Sequence, residues 1–344
     1  MSGTPDAAPD TGARAGGAAA VPAPQQVATP NAADQAPQSV TPTVQPAAPG
    51  GSHAKPKRHG WWWKTLLGGV ALWIIAAAVT FGTQNTNLVP TVILLGSFLV
   101  PFSVVMYASE RTEGNLDMTR LILAFFIGGV FGVLGASILE VNLQPSWYMY
   151  LGIGAIEEFC KGAVFVVIGL AVRPKNGHQG ALLGAVVGAG FAAFESAGYA
   201  FNAGLTRHGI DLLSMLQTEA VRGVLTPVGH VLWTAILGAA IFAAIGRTAK
   251  WWAVVIAFVA VAVLHSLWDS MSFIATLLAV EFTGGAVKQL SYGLLLPATA
   301  ESISSLAQVL YVVGLIVISV IGILVLSIWG RRPKRPRPAA PAAV

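Results

Sequence analysis

Seven ionisable side chains lie inside segments that are otherwise apolar enough to cross a membrane. They are Glu157, Glu158, Lys161, Glu195, His230, His265 and Asp269. An ionised side chain at the centre of a bilayer costs about 2.5–3.5 kcal/mol on insertion scales, so such residues usually face the interior of a helix bundle and have a function there. Carboxylates and imidazoles transfer protons in catalysis and bind metal ions, so these residues are our candidates for chemistry.

The spacing of these residues places several of them on shared helix faces. The pairs that are four residues apart are Glu157 with Lys161, Glu195 with Tyr199, and His265 with Asp269. Glu158 lies about 100° from Glu157 around the helix axis. We therefore expect one of these two glutamates to face the reaction centre and the other to meet Lys161 or a neighbouring helix.

The whole chain has the composition of an integral membrane protein. Of its 344 residues 55% are hydrophobic and 10% are charged, whereas a soluble domain carries about 25% charged residues. A helix needs about 20 mostly apolar residues to cross the hydrocarbon core. The segments that meet this requirement are 64–82, 88–108, 119–139, 148–172, 180–203, 223–246, 252–278 and 306–329. We predict an all-α, polytopic membrane helix bundle with about eight transmembrane helices.

Basic residues are concentrated on one side of the predicted bundle. They flank the first span, follow the last span and occupy the loops assigned to the same side, so the positive-inside rule predicts that both termini are cytoplasmic. Residues 1–54 are rich in Ala and Pro and are predicted to be a disordered cytoplasmic tail. Residues 55–330 form the predicted transmembrane domain, and 331–344 form a basic cytoplasmic tail. The net charge of +5 follows this topology and indicates no nucleic-acid partner.

This topology places polar residues from four helices at one depth. With a rise of 1.5 Å per residue, they lie roughly 10–20 Å below the outer surface. The residues at this depth are Glu157, Glu195, His230, His265 and Asp269. Scattered structural charges have no reason to share a depth, so we predict that these side chains line one polar chamber in the outer half of the membrane.

Small residues on the fifth predicted span indicate close helix packing. Gly180, Gly184, Gly188, Ala192 and Ser196 recur every four residues, and such a stripe permits the close approach of a neighbouring helix. Glu195 lies seven residues after Gly188 and hence on nearly the same face. We expect its side chain to point inward.

Two mechanisms of peptide hydrolysis are compatible with these residues. Glu157 among apolar walls could activate water as a general base, while His230, His265 and Asp269 stabilise the tetrahedral intermediate. The same residues could instead hold zinc, with His230, His265 and a carboxylate such as Asp269 as ligands and another Glu as the base. The His-Glu-x-x-His and Gly-x-Gly-Asp motifs of other intramembrane proteases are absent from the chain, which disfavours those classes.

Structural roles and a different function stay open at this point. Lys161 is expected to be a counter-ion, and for Glu195 and Tyr199 a structural interhelical hydrogen bond is the alternative to a role in the site. A proton- or cation-coupled transporter is the alternative function, because acidic and histidine residues within the membrane also mark ion pathways. The single cysteine, Cys160, excludes an intramolecular disulfide.

Four short motifs resemble the PrsW family of bacterial membrane proteases. They are "EEFCK" at 157–161, "FESAGY" at 194–199, "GHVLWT" at 229–234 and "HSLWD" at 265–269. They occur in the order in which the family has them, and the resemblance covers about residues 60–330. Each motif is weak alone, whereas four in order on successive helices are specific.

The resemblance implies an intramembrane endopeptidase of the bacterial cytoplasmic membrane. Its implied substrate is a single-pass membrane protein, such as an anti-sigma factor, that is cut in its extracytoplasmic juxtamembrane region. The family is distantly similar to the CAAX prenyl protease group, in which a glutamate and histidines surround the catalytic water. This similarity favours Glu157 as the base with His230 and His265 as its partners, and Asp269 stands where that group often has Asn. The family is commonly labelled a metalloprotease, which makes zinc the candidate cofactor, whereas the related group favours a glutamate-activated water, so the metal stays open at this point.

Overall fold

The computed structural model describes residues 59–146, 148–207, 209–284 and 286–329, which form a helical bundle. Its first helices are α1 (Trp61–Thr83), α2 (Val89–Ser109), α3 (Met118–Glu140), α4 (Met149–Gly169) and α5 (Gly177–Gly204). A two-residue hairpin of β1 (Leu205–Thr206) and β2 (Gly209–Ile210) follows. The remaining helices are α6 (Leu212–Leu225), α7 (His230–Ile245), α8 (Trp252–Phe282), α9 (Ala286–Ser291) and α10 (Pro297–Trp329).

Seven helical segments of the described residues are long and apolar enough to cross a membrane. They are Trp61–Thr83, Thr86–Ser109, Met118–Glu140, Gly177–Gly204, Leu212–Ile245, Trp252–Phe282 and Pro297–Ile328. The fourth predicted span forms α4, whose 21 residues have the length of a crossing helix. It is not among these seven because it carries three charged residues, Glu157, Glu158 and Lys161. The predicted all-α, polytopic membrane bundle is confirmed.

The sixth predicted span differs from the observed structure because it is interrupted. It was expected at 223–246 as one helix, but α6 and α7 are separated by a 3₁₀ turn at Thr226–Val228. Pro227 has no backbone N–H to donate, and Gly229 has φ −104° and ψ −121°, outside the helical region. As a result His230 is the first residue of α7 rather than part of a helix interior.

Polar residues fix where three helices begin. The side chains of Asp117, Asn176 and Asp211 accept hydrogen bonds from backbone N–H groups in the first turns of α3, α5 and α6. Such N-caps satisfy donors that have no partner within the helix. These caps therefore fix the residue at which each of the three helices begins.

The predicted stripe of small residues lies where α5 packs closely against α7. A side chain on any of the three glycines would overlap the α7 backbone, with Gly180 facing Gly238, Gly184 facing Thr234, and Gly188 facing His230. The glycines therefore allow the two helices to approach until their backbones are in van der Waals contact. This contact brings the first turn of α7 next to the part of α5 that carries Glu195. The predicted tails, 1–54 and 331–344, lie outside the described residues.

Candidate functional site

Four helices bring the candidate residues together in the interior of the bundle. Glu157, Glu158 and Lys161 come from α4, Glu195 from α5, His230 from α7, and His265 and Asp269 from α8. The side chains of Glu158, Lys161 and His265 are almost completely inaccessible to solvent. The residues for which the sequence predicts a common depth therefore form a single cluster.

The carboxylate of Glu157 lies at the centre of this cluster. Its Oε2 atom is 3.2 Å from Nζ of Lys161, 3.7 Å from Nδ1 of His230 and 3.6 Å from Nε2 of His265. One carboxylate oxygen thus faces an ammonium group and two imidazoles.

Lys161 neutralises the buried glutamates of its own helix. Its ammonium nitrogen is 2.7 Å from Oε1 of Glu158 and 3.0 Å from Nδ1 of His230, in addition to its contact with Glu157. It also lies 4.2 Å from the ring centroid of Phe191, a cation–π contact. A buried charge needs such partners, so Lys161 acts as the internal counter-ion that the sequence suggested.

These contacts define which nitrogen of His230 carries the proton. An ammonium group can only donate hydrogen bonds, so Nδ1 of His230 accepts from Lys161 and the ring proton is on Nε2. Nε2 lies 2.8 Å from Oε2 of Glu195 and donates to it. Glu195 therefore orients the imidazole and leaves the lone pair of Nδ1 facing the centre of the site.

His265 lies among carboxylates on the other side of the site. Its Nδ1 atom lies 3.0 Å from Oε1 of Glu158, while its Nε2 atom faces Glu157 and lies 3.5 Å from Oδ2 of Asp269. Each histidine thus has one nitrogen beside a carboxylate and the other directed to the centre. This is the arrangement by which proteins orient histidines that bind metal ions.

Arg222 belongs to the cluster, and sequence reasoning missed it. Its Nη2 atom is 2.5 Å from Oε2 of Glu195, and its Nε donates to Oγ of Ser196 at 2.8 Å. Its guanidinium lies 4.1 Å from the ring centroid of Tyr199, a cation–π contact between α6 and α5. Arg222 lies one residue before the predicted span 223–246, and hence in a predicted outer loop.

The signal that could have identified Arg222 is the helix break that follows it. Pro227 and Gly229 end α6 and start α7 within four residues, so the last turn of α6 lies beside the first turn of α7. A second missed residue is Glu140 at the end of α3, whose Oε1 atom is buried and has no hydrogen-bond partner among the described residues. Its position at the predicted outer end of a span gave no reason to expect this.

Three side chains of the cluster form a group that could hold a metal ion. One carboxylate oxygen of Glu157 and one nitrogen each of His230 and His265 lie within 4.8 Å of one another. Two histidines and a carboxylate are a common ligand set of catalytic zinc, and the orientation of both imidazoles suits this role. The predicted set contained Asp269 as the carboxylate; in the structure Glu157 is grouped with the histidines and Asp269 stands beside His265.

The comparison with protein families agrees with this geometry. The model of the PrsW family intramembrane metalloproteases matches residues 117–319, which is more than half of the chain and includes every residue of the cluster. No curated protein and no solved structure matches the chain. The family match decides between the two functions that the sequence left open, in favour of the peptidase. The chain belongs to the PrsW family of intramembrane metalloproteases and is a membrane-embedded peptidase.

Proposed function

We propose that this peptidase hydrolyses a peptide bond of a single-pass membrane protein, such as an anti-sigma factor, in its extracytoplasmic juxtamembrane region. The observation that carries the proposal is the convergence of Lys161, His230 and His265 on one oxygen of Glu157. A carboxylate in this position can accept a proton from water. The surrounding nitrogen atoms suit the binding of a carbonyl oxygen or of a metal ion.

In the proposed reaction Glu157 acts as the general base. It accepts a proton as the water oxygen attacks the carbonyl carbon, and it delivers this proton to the amide nitrogen when the C–N bond breaks. Lys161 supplies positive charge beside the negative charge that develops on the carbonyl oxygen. Glu158 and Glu195 hold His265 and His230 in fixed orientations, which reduces the reorganisation needed in the transition state.

The side chains of the site fit a divalent metal ion of the zinc type. Glu157, His230 and His265 would hold it, and in that case another glutamate of the cluster, rather than Glu157, would be the base. The charge balance favours an ion, because the carboxylates of Glu157, Glu158, Glu195 and Asp269 outnumber the two cations, Lys161 and Arg222. When bound, the ion supplies Lewis-acid polarisation of the scissile carbonyl. Lys161 lies at hydrogen-bond distance from two of the three donor atoms, so it competes with the ion for them.

The proposed topology supports a cut on the extracytoplasmic side. With both termini in the cytoplasm of a bacterium, α4 descends from the outer surface and Glu157 lies eight residues below its first residue, Met149. At a rise of 1.5 Å per residue this is a depth of about 12 Å. Glu195 lies a similar distance below the outer end of α5. A water molecule and a juxtamembrane segment can reach this level without crossing the bilayer.

The test compares the N-termini of membrane proteins in cells that carry the native chain and cells that carry Glu157→Gln. We expect an N-terminus near the outer face of a single-pass protein to be lost with Glu157→Gln. The matched control is Glu281→Gln, which changes an exposed glutamate of α8 and should leave the profile unchanged. Identical profiles for all three chains at equal abundance would refute the proposal.

A further inference from the structure

An apolar groove opens towards the lipid between α6 and α10. Its volume is about 700 Å³, and its lining consists almost entirely of aliphatic side chains. They come from one face of α6 with the turn that follows, and from the facing side of α10. The residues that line it are Ala220, Val221, Val224, Leu225, Val228, Tyr311, Val312, Leu315, Ile316, Ser319 and Val320.

The groove continues along α10 towards the end that the topology places outside. A second depression of about 460 Å³ lies between α8 and α10, and Tyr311 lines both. This part is more polar, with Ser272, Thr276, Ser304 and Gln308 in its wall. Together the two parts extend from Ala300 to Val320, which at 1.5 Å per residue is about 30 Å, the thickness of the hydrocarbon core.

Two polar side chains lie on this face of α10. Gln308 is exposed in the wall of the second depression, and Tyr311 beside it is half-buried. Polar side chains on membrane helices usually form hydrogen bonds with a neighbouring helix. An acyl chain offers no such bonds, whereas the backbone and side chains of a peptide segment do.

The groove also leads to the catalytic cluster. Leu225 lines the groove and, in addition, a small cavity of about 50 Å³ whose wall contains Arg222, Ser196 and His230. A chain segment lying in the groove is therefore separated from His230 by the width of one leucine side chain and this cavity. Binding of a lipid molecule in the groove would not require this connection to the catalytic cluster.

We propose that the groove between α6 and α10 binds the transmembrane helix of the substrate and presents the adjoining segment to the site past Leu225. The length of the groove equals a membrane crossing. Its change from apolar to polar matches a transmembrane helix that continues into a polar outer segment. This inference rests on the proposed cleavage of single-pass proteins and names the surface that selects them.

Two adjacent residues of α10 provide a matched pair for the test. Val312 lines the groove and Val313 does not, yet their exposed fractions are nearly equal at 52% and 50%. A photoreactive benzophenone residue replaces one or the other in the Glu157→Gln chain, in lipid nanodiscs. The probes are a synthetic single-pass peptide, with an apolar helix and a polar outer flank, and a phospholipid with a photoreactive acyl chain. We expect several-fold more peptide adducts with the benzophenone at position 312 than at position 313, and more lipid adducts at position 313. Equal peptide labelling at the two positions, or labelling by lipid alone at position 312, would overturn the proposal.

An activity measurement separates this proposal from the proposed function. Val312→Trp should raise KM for a single-pass substrate several-fold with kcat unchanged, because it removes binding that does not change in the transition state. Val313→Trp should alter neither constant. Both variants should cleave a short soluble peptide with the same cleavage sequence as fast as the native chain does. If Val312→Trp cleaves the single-pass substrate normally, the groove proposal fails; if the native chain cleaves neither substrate, the proposed function fails and the crosslinking still decides the groove.

Discussion

Replacement of Lys161 by methionine should destabilise the bundle strongly. The ammonium group is fully buried and lies 2.7 Å from Glu158 and 3.2 Å from Glu157. Methionine keeps most of the volume but leaves both carboxylates without their cation. Removal of one partner from a buried ion pair costs about 3–5 kcal/mol. We expect a loss of this size in the free energy of unfolding, which is a large share of the roughly 5–15 kcal/mol that a typical protein has.

The measurement is equilibrium unfolding of the purified chain in bicelles. Lys288→Met is the matched control, because Lys288 is exposed on α9, and it should change the free energy by less than about 0.5 kcal/mol. Addition of Glu158→Gln to Lys161→Met should restore at least half of the loss, because it removes the charge that lies nearest to the missing ammonium. A stability of Lys161→Met equal to that of the native chain, or a double variant no more stable than the single one, would refute the role of Lys161 as counter-ion.

Three further predictions concern the site and the helix that covers it. Arg222→Met should lower kcat about 10–100-fold, because Arg222 holds the carboxylate that orients His230; Arg222→Lys should recover part of the activity, and a loss confined to KM would contradict this role. Zinc at about 100 times its Kd should stabilise the native chain by about 2.7 kcal/mol but not His265→Ala, as measured by thermal unfolding; equal stabilisation of both would exclude His265 as a ligand. Hydrogen bonds from Ser214 hold the pKa of Asp211 below its ordinary value, so the cap of α6 is fully formed above the ordinary carboxyl pKa and is lost as the pH falls through the lowered one. The protection factors of the amides at the start of α6, which are corrected for the intrinsic pH dependence of exchange, should fall over that range in the native chain and stay constant in Asp211→Ala.

The membrane class and the candidate residues could be predicted from the sequence because both are local properties. Apolar runs of about 20 residues identify spans wherever they occur. A glutamate or histidine within such a run stands out because its insertion into the bilayer costs free energy. Periodicity also predicted that Glu195 points inward, because a helix of known period assigns each residue to a face. In the same way the stripe of small residues predicted that a neighbouring helix approaches α5 closely, and the structure shows that this helix is α7.

The pairing within the site was decided by the tertiary structure. Arg222 reaches Glu195 across 27 residues of sequence, and Lys161 reaches His230 across 69; no local pattern encodes such contacts. They depend on the break at Pro227 and Gly229, which ends one helix and starts another within the predicted span. Sequence alone therefore predicted the candidate residues and a common depth for them. Only the packing of the helices decided that Glu157 is the residue on which an ammonium and two imidazoles converge, because this depends on the rotation of four helices about their axes.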